Sequence, residues 1–171
     1  MNTVPLITGK DIEAARTAAQ HVVDIHRALT DYLQAGQTLP EIDSFVANSL
    51  RSLHCKSAFL KYKIPGQAPF PSHSCLSVND CVVHGTHIMS QAPLEPGDLI
   101  SIDIGVIHKG WVGDAAWTWA IEFASDENLR LMQAGKDSLA AGVAEMQPDK
   151  PLMNFAKAVQ DVAQDKFGFH L

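Results

Sequence analysis

Two aspartates carry the strongest chemical signal in the chain. Asp103 and Asp114 fall in Leu99-Ile-Ser-Ile-Asp-Ile-Gly-Val-Ile-His-Lys-Gly-Trp-Val-Gly-Asp-Ala-Ala-Trp-Thr-Trp-Ala-Ile121. Residues 99–106 and 111–121 alternate and are rich in β-branched and aromatic side chains, so the segment reads as a β-hairpin with His108-Lys-Gly110 as its turn. A turn centred between 108 and 109 predicts that Asp103 and Asp114 lie directly opposite, on one face, with Cβ atoms about 5 Å apart. Like charges so placed repel, which leaves three readings. The carboxylates stand in water, each with a distant cationic partner. They share a proton, as a catalytic dyad or a glycosidase pair does. Or they clamp one or two divalent ions that activate a water and polarise a carbonyl.

His84 is the next candidate. It ends the run Cys81-Val-Val-His84, and Gly85 behind it lets another group approach closely. A lone histidine is more often structural than catalytic, and His73, His87 and His108 read as solvated loop residues. Cys75 and Cys81 read first as small packing residues.

Helices and strands must position these groups. Thr8-Gly-Lys-Asp11 can open a helix whose apolar period runs through Ile12, Ala15, Ala19, Val22, Val23, His26 and Leu29 to Leu33, with Gly36 as its stop. Thr38-Leu-Pro-Glu41 is a capping box for a second helix carrying Ile42, Phe45, Val46, Leu50 and Leu53. Lys56–Tyr62 reads as a strand and Ile64–Ser72 as a proline-rich loop. Cys75–Val78 and Cys81–His84 read as short extended runs about an Asn79-Asp80 turn. On the hairpin, Trp111, Ala115, Trp117, Trp119, Ile121 and Phe123 make an apolar face. The aspartates share the opposite, small and polar one. Ser125-Asp126-Glu127 opens a third helix through Leu129, Met132, Leu139 and Val143. Leu152, Phe155, Ala158, Val159 and Val162 mark a fourth, closed by Gly168. The expectation is an α+β fold with a mainly antiparallel sheet and helices on one face. It is a single domain over 1–171: helices in 1–54, strands in 56–123 and helices in 125–168.

Composition narrows the function. The chain has 171 residues, 46% hydrophobic and 19% charged, with a formal net charge of −6. That supports a sizeable core and argues against disorder and against a nucleic-acid or anionic-membrane surface. Three cysteines without a Cys-x-x-Cys pair fit free thiols. Met1–Ile7 lacks the marks of a signal peptide and no stretch is apolar enough to span a membrane, so the expected location is cytoplasmic.

Three strings together resemble type I methionine aminopeptidase, one of the pita-bread metallopeptidases of family M24. They are Cys75-Leu-Ser-Val-Asn-Asp80-Cys-Val-Val-His84-Gly85, Leu94-Glu-Pro-Gly-Asp98-Leu-Ile-Ser-Ile-Asp103-Ile-Gly, and Gly110-Trp-Val-Gly-Asp114-Ala-Ala-Trp-Thr118. The resemblance implies the pita-bread fold and removal of initiator methionine from nascent chains. It also implies two divalent ions (Co, Mn, Fe, Zn or similar) in an intact site. Asp103 takes the position of the aspartate that chelates one metal, and Asp114 that of the one that bridges both. His84 takes that of the histidine that hydrogen-bonds the substrate. Phe70 and Cys75 fall at positions lining the methionine pocket. The family's other ligands are a histidine in Gly-His-Gly and two glutamates on later strands. His170 lacks the flanking glycines, and Glu122, Glu127 and Glu145 lie in the wrong elements. The expectation is thus the N-terminal half of such an enzyme, with two of five ligands, weak or partial metal binding, and an exposed seam prone to self-association. Expected partners are peptides beginning with Met, and the ribosome or its nascent chains. The rival is a non-catalytic pita-bread module that binds a peptide or a partner protein. A pita-bread peptidase that cleaves before proline fits the Asn79…His84-Gly85 context less well.

Overall fold

A computed structural model of the chain describes residues 8–171; Met1–Ile7, and with it the expectation about a signal peptide, lies outside them. The chain divides into two compact units, one ending at Phe123 and one spanning Ala124–Leu171. In the first, α1 (Lys10–Tyr32) buries Ala18, Val22, Ile25, His26 and Leu29, the three-and-four spacing of one helix face. α2 (Leu39–Ser52) starts where the capping box places it. The Glu41 carboxylate accepts hydrogen bonds from the Thr38 backbone N–H at 2.7 Å and from its hydroxyl at 2.8 Å.

The sheet is built on β3 (Leu99–His108), the middle strand of a four-stranded antiparallel arrangement. β1 (Lys56–Ser57) and β2 (Cys75–Val78) pair with it along one edge, and β4 (Trp111–Ala120) along the other. Ile100, Ile102, Ile104 and Val106 point to one face and are fully buried among Leu29, Ile42, Val46 and Leu50 of the two helices. Burial of each such side chain contributes about 1.5–3 kcal/mol. On the same face the fully buried His26 lies parallel to the Trp117 ring, 5.0 Å between centroids, and its Nε2 meets the Ala115 carbonyl at 2.9 Å.

Two expectations change here. Lys56–Tyr62 is not a strand. Only Lys56–Ser57 pair with β3, after which the Ser57 hydroxyl accepts from the Phe59 and Leu60 N–H groups and turns the chain. Cys81–His84 is not extended either: it is a loop in which His84 takes a positive φ of 60°.

In the second unit α3 (Asp126–Glu145) begins at Ser125, whose hydroxyl accepts from the Asn128 N–H. α4 (Met153–Gln160) runs on into a six-residue π-helical stretch, Asp161–Lys166, that periodicity did not announce. Among the described residues, no helix is long and apolar enough to cross a membrane.

Candidate metal centre

Strand alternation puts the chemistry on the sheet face away from the core. That face collects Cys75 and Ser77 from β2, Ser101, Asp103 and Gly105 from β3, and Asp114, Ala116 and Thr118 from β4. Asp103 sits across from Cys75 on one side and Ala116 on the other. Asp114 sits across from Gly105. The aspartates share a face, as expected, but they are diagonal neighbours and not directly opposite.

The cause is the turn. Lys109 and Gly110 both take positive φ, 49° and 87°, and form a two-residue loop that pairs His108 with Trp111. The loop centre moves one residue along the chain and every partner on β4 moves by two. The correction favours a cation between the carboxylates. Diagonal positions are about 7 Å apart, which leaves space for an ion that directly opposed carboxylates would crowd.

The residues present fit a divalent metal. Among the described residues, Oδ1 of Asp103 is buried without any hydrogen-bond partner, an uncommon state for a carboxylate oxygen and one that a cation relieves. Burial, then the Asp114 charge, pushes the Asp103 carboxyl above its ordinary range, while His84 and the Ile104 N–H pull it down. Burial also raises Asp114. Gly105 keeps the space beside Asp114 clear, since a Cβ there would lie 3.2 Å from Asp114 Oδ2 and 2.7 Å from the Phe59 ring.

Other candidates converge on this face by different routes. Gly85 lies against β2 so closely that a Cβ would fall 2.1 Å from the Leu76 carbonyl oxygen. Leu76 N–H donates to the Gly85 carbonyl at 2.8 Å, and Gly85 N–H donates to the Ser77 hydroxyl at 3.2 Å. These bonds fasten the exposed His84 beside β2, near enough for its charge to act on Asp103. Asn79 ties the same loop to the start of β3. Its amide donates to Asp98 at 2.8 Å and its carbonyl accepts from the Leu99 N–H at 2.9 Å.

Cys75 is buried across from Asp103, and its thiol is pushed up to about 12, first by burial and then by Asp103, Asp114 and Cys81. It therefore stays a neutral wall of the site at physiological pH. Phe70 stands edge-on to Phe59, 6.3 Å between centroids, and Phe59 borders Gly105, so an aromatic pair flanks the Asp114 side.

Sequence reasoning missed a second cluster. His21, Cys55 and His108 bring their ligand atoms within 4.8 Å of one another. The residues come from α1, the link between α2 and β1, and the end of β3, and no local motif announces them.

A family model described as metallopeptidase family M24 matches residues 6–171. The chain belongs to metallopeptidase family M24. Its relatives within M24 include a methionine aminopeptidase of Aquifex aeolicus, 30% identical over 97% of this chain and 64% of that protein. Methionine aminopeptidase 1 of Mycobacterium tuberculosis is 32% identical over 92% of this chain and 57% of its own length. The crystal structure of methionine aminopeptidase from Rickettsia prowazekii superposes with a TM-score of 0.89 at 27% identity, over 96% of this chain and 63% of that one. The chain thus spans about three fifths of the length of the M24 relatives it matches, and its sheet and helices are the N-terminal part of the pita-bread fold.

Proposed function

We propose that this chain supplies one wall of the metal site of a methionine aminopeptidase that removes initiator methionine from nascent polypeptides in the cytoplasm, as one functional domain. The observation that carries this is the shared face of Asp103 and Asp114, with an unpartnered carboxylate oxygen buried on it. The methionine aminopeptidase names of its M24 relatives supply the substrate class.

Asp103 and Asp114 would hold the divalent ions, two in an intact site. When bound, such ions supply an activated water and polarise the scissile carbonyl. His84, fixed by Gly85 but exposed, hydrogen-bonds the peptide and orients its carbonyl. Phe59 and Phe70 give the methionine side chain an apolar surface, and buried Cys75 closes the pocket beside Asp103.

Two carboxylates alone hold a divalent ion weakly. The 171-residue chain is therefore expected to be inert toward Met-Ala-Ser with added Co or Mn, and a chain carrying the further histidine and glutamate ligands to be active. Rapid metal-dependent turnover by the 171-residue chain would overturn the first expectation, and an inert extended chain the enzymatic reading. The non-catalytic alternative predicts no divalent-ion binding by calorimetry. Binding that Asp114→Ala abolishes counts against it.

A further inference from the structure

We propose that His21, Cys55 and His108 form a second, separate metal site of soft and borderline character, fitted to zinc. It needs nothing from the aspartate pair.

Three segments build it: α1, the link before β1, and the end of β3. β1 pairs Lys56 with Ile107 and Ser57 with Val106, so one more step along the ladder sets Cys55 across from His108. His21 sits one turn before Ile25 on the α1 face that packs over the sheet, and its ring meets His108 edge-on with 4.7 Å between centroids. Cys55 Sγ is 3.4 Å from His108 Nδ1. All three side chains are half-buried, open enough for an ion to enter.

The donor set points to the metal. One thiolate and two imidazoles suit zinc, which takes sulfur at about 2.3 Å and nitrogen at about 2.0–2.1 Å in tetrahedral sites. Those bond lengths put neighbouring ligand atoms about 3.5 Å apart. The Cys55–His108 pair already has that spacing, and the trio as a whole lies within 4.8 Å, so closure needs about 1 Å of side-chain movement. Among the described residues, His21 Nδ1 is buried without a hydrogen-bond partner. An imidazole nitrogen without a partner, on a ring packed edge-on against His108, lacks a contact of the kind a cation provides. Three protein ligands leave the fourth position to water.

The two candidate sites separate by chemistry. The aspartate face offers the carboxylate oxygens of Asp103 and Asp114. The His21 cluster offers sulfur and nitrogen from the other face of β3, because residues 103 and 108 have opposite parity on one strand. Zinc bound there clips α1 and β1 to the end of the hairpin.

Cobalt is the direct probe, since a thiolate ligand gives cobalt an intense charge-transfer absorption that carboxylate ligation lacks. The reduced 171-residue chain is titrated with cobalt chloride. The proposal expects a thiolate-to-cobalt band that saturates at one equivalent and is displaced by zinc. Cys55→Ser and His21→Gln abolish it, while Cys75→Ser, Cys81→Ser and Asp114→Asn retain it. A second measurement needs no variant: zinc protects Cys55 from iodoacetamide, read by peptide mass spectrometry, and leaves Cys81 labelling unchanged. The proposal is overturned by no band in the unsubstituted chain, by a band that survives Cys55→Ser or His21→Gln, or by Cys55 labelling that zinc does not slow.

Discussion

Replacing Asp114 with asparagine removes one of two like charges on a shared face and changes little in shape. Without metal it should make the chain more stable. At the diagonal spacing of about 7 Å and an effective dielectric of about 20, the repulsion is about 2.4 kcal/mol. Asp114 opens to water, and solvent and salt reduce the figure to about 1 kcal/mol.

The pH dependence has a fixed sign. Asp103 and Asp114 titrate above the ordinary aspartate value of 3.8 in the folded chain. Between that value and the raised one the folded state binds more protons than the unfolded state, so stability falls as pH rises. The deficit is complete above the raised values and absent well below 3.8. Urea unfolding with chelator at neutral pH should place the Asp114→Asn midpoint about 0.5 M above the parent, for an m-value of about 2 kcal/mol per M. The gain should vanish in acid. Divalent metal should reverse the order: at one hundred times the dissociation constant, the ion stabilises the parent by about 2.7 kcal/mol, and the variant follows weakly. An Asp114→Asn chain less stable than the parent in chelator, or one that metal stabilises equally, would refute the argument from paired charge.

Other outcomes follow from the same geometry. Gly85→Ala forces a methyl group against the Leu76 carbonyl. It should cost about 2–3 kcal/mol in chemical denaturation and, in an active extended chain, lower methionine release through displacement of His84; unchanged stability would contradict the close approach. His26 is held below its ordinary 6.5 by burial against a weaker pull from the Ala115 carbonyl. Acidification through 6.5 therefore protonates the unfolded chain first and lowers the melting temperature, and His26→Phe should flatten that slope in calorimetry. The outer edge of β4 has no strand partner among the described residues, so light scattering should show association that grows with concentration. A monomer at high concentration would count against an open edge.

Much of this was legible where one residue type does one physical job. Thr38 and Glu41 marked the start of α2 because a capping box satisfies backbone donors locally. Ile100, Ile102, Ile104 and Val106 marked the core face of β3 because the strand period is two. The hairpin register was harder. Gly110 signalled the turn, but Lys109, an uncommon residue at positive φ, concealed that the loop has only two residues. The strand expected over Lys56–Tyr62 failed because the Ser57 hydroxyl captures backbone N–H groups that a ladder would use, a competition that hydrophobic patterning does not register. The His21, Cys55 and His108 cluster was invisible for a third reason: its members are joined only by helix-on-sheet packing and the β1 register, both of which are tertiary facts.

β3 works as a sorting device. Asp103 and His108 lie five residues apart, about 17 Å along an extended strand, and they look to opposite sides. An ion arriving from solution meets an oxygen donor set on one side and a sulfur–nitrogen set on the other, with the sheet itself between them. Hard cations such as manganese or magnesium gain little from the second, and zinc gains most there. A preparation loaded with mixed metals should therefore carry different elements on the two sides of a single strand. Measured metal content should then be apportioned between the faces before any of it is attributed to the aspartates.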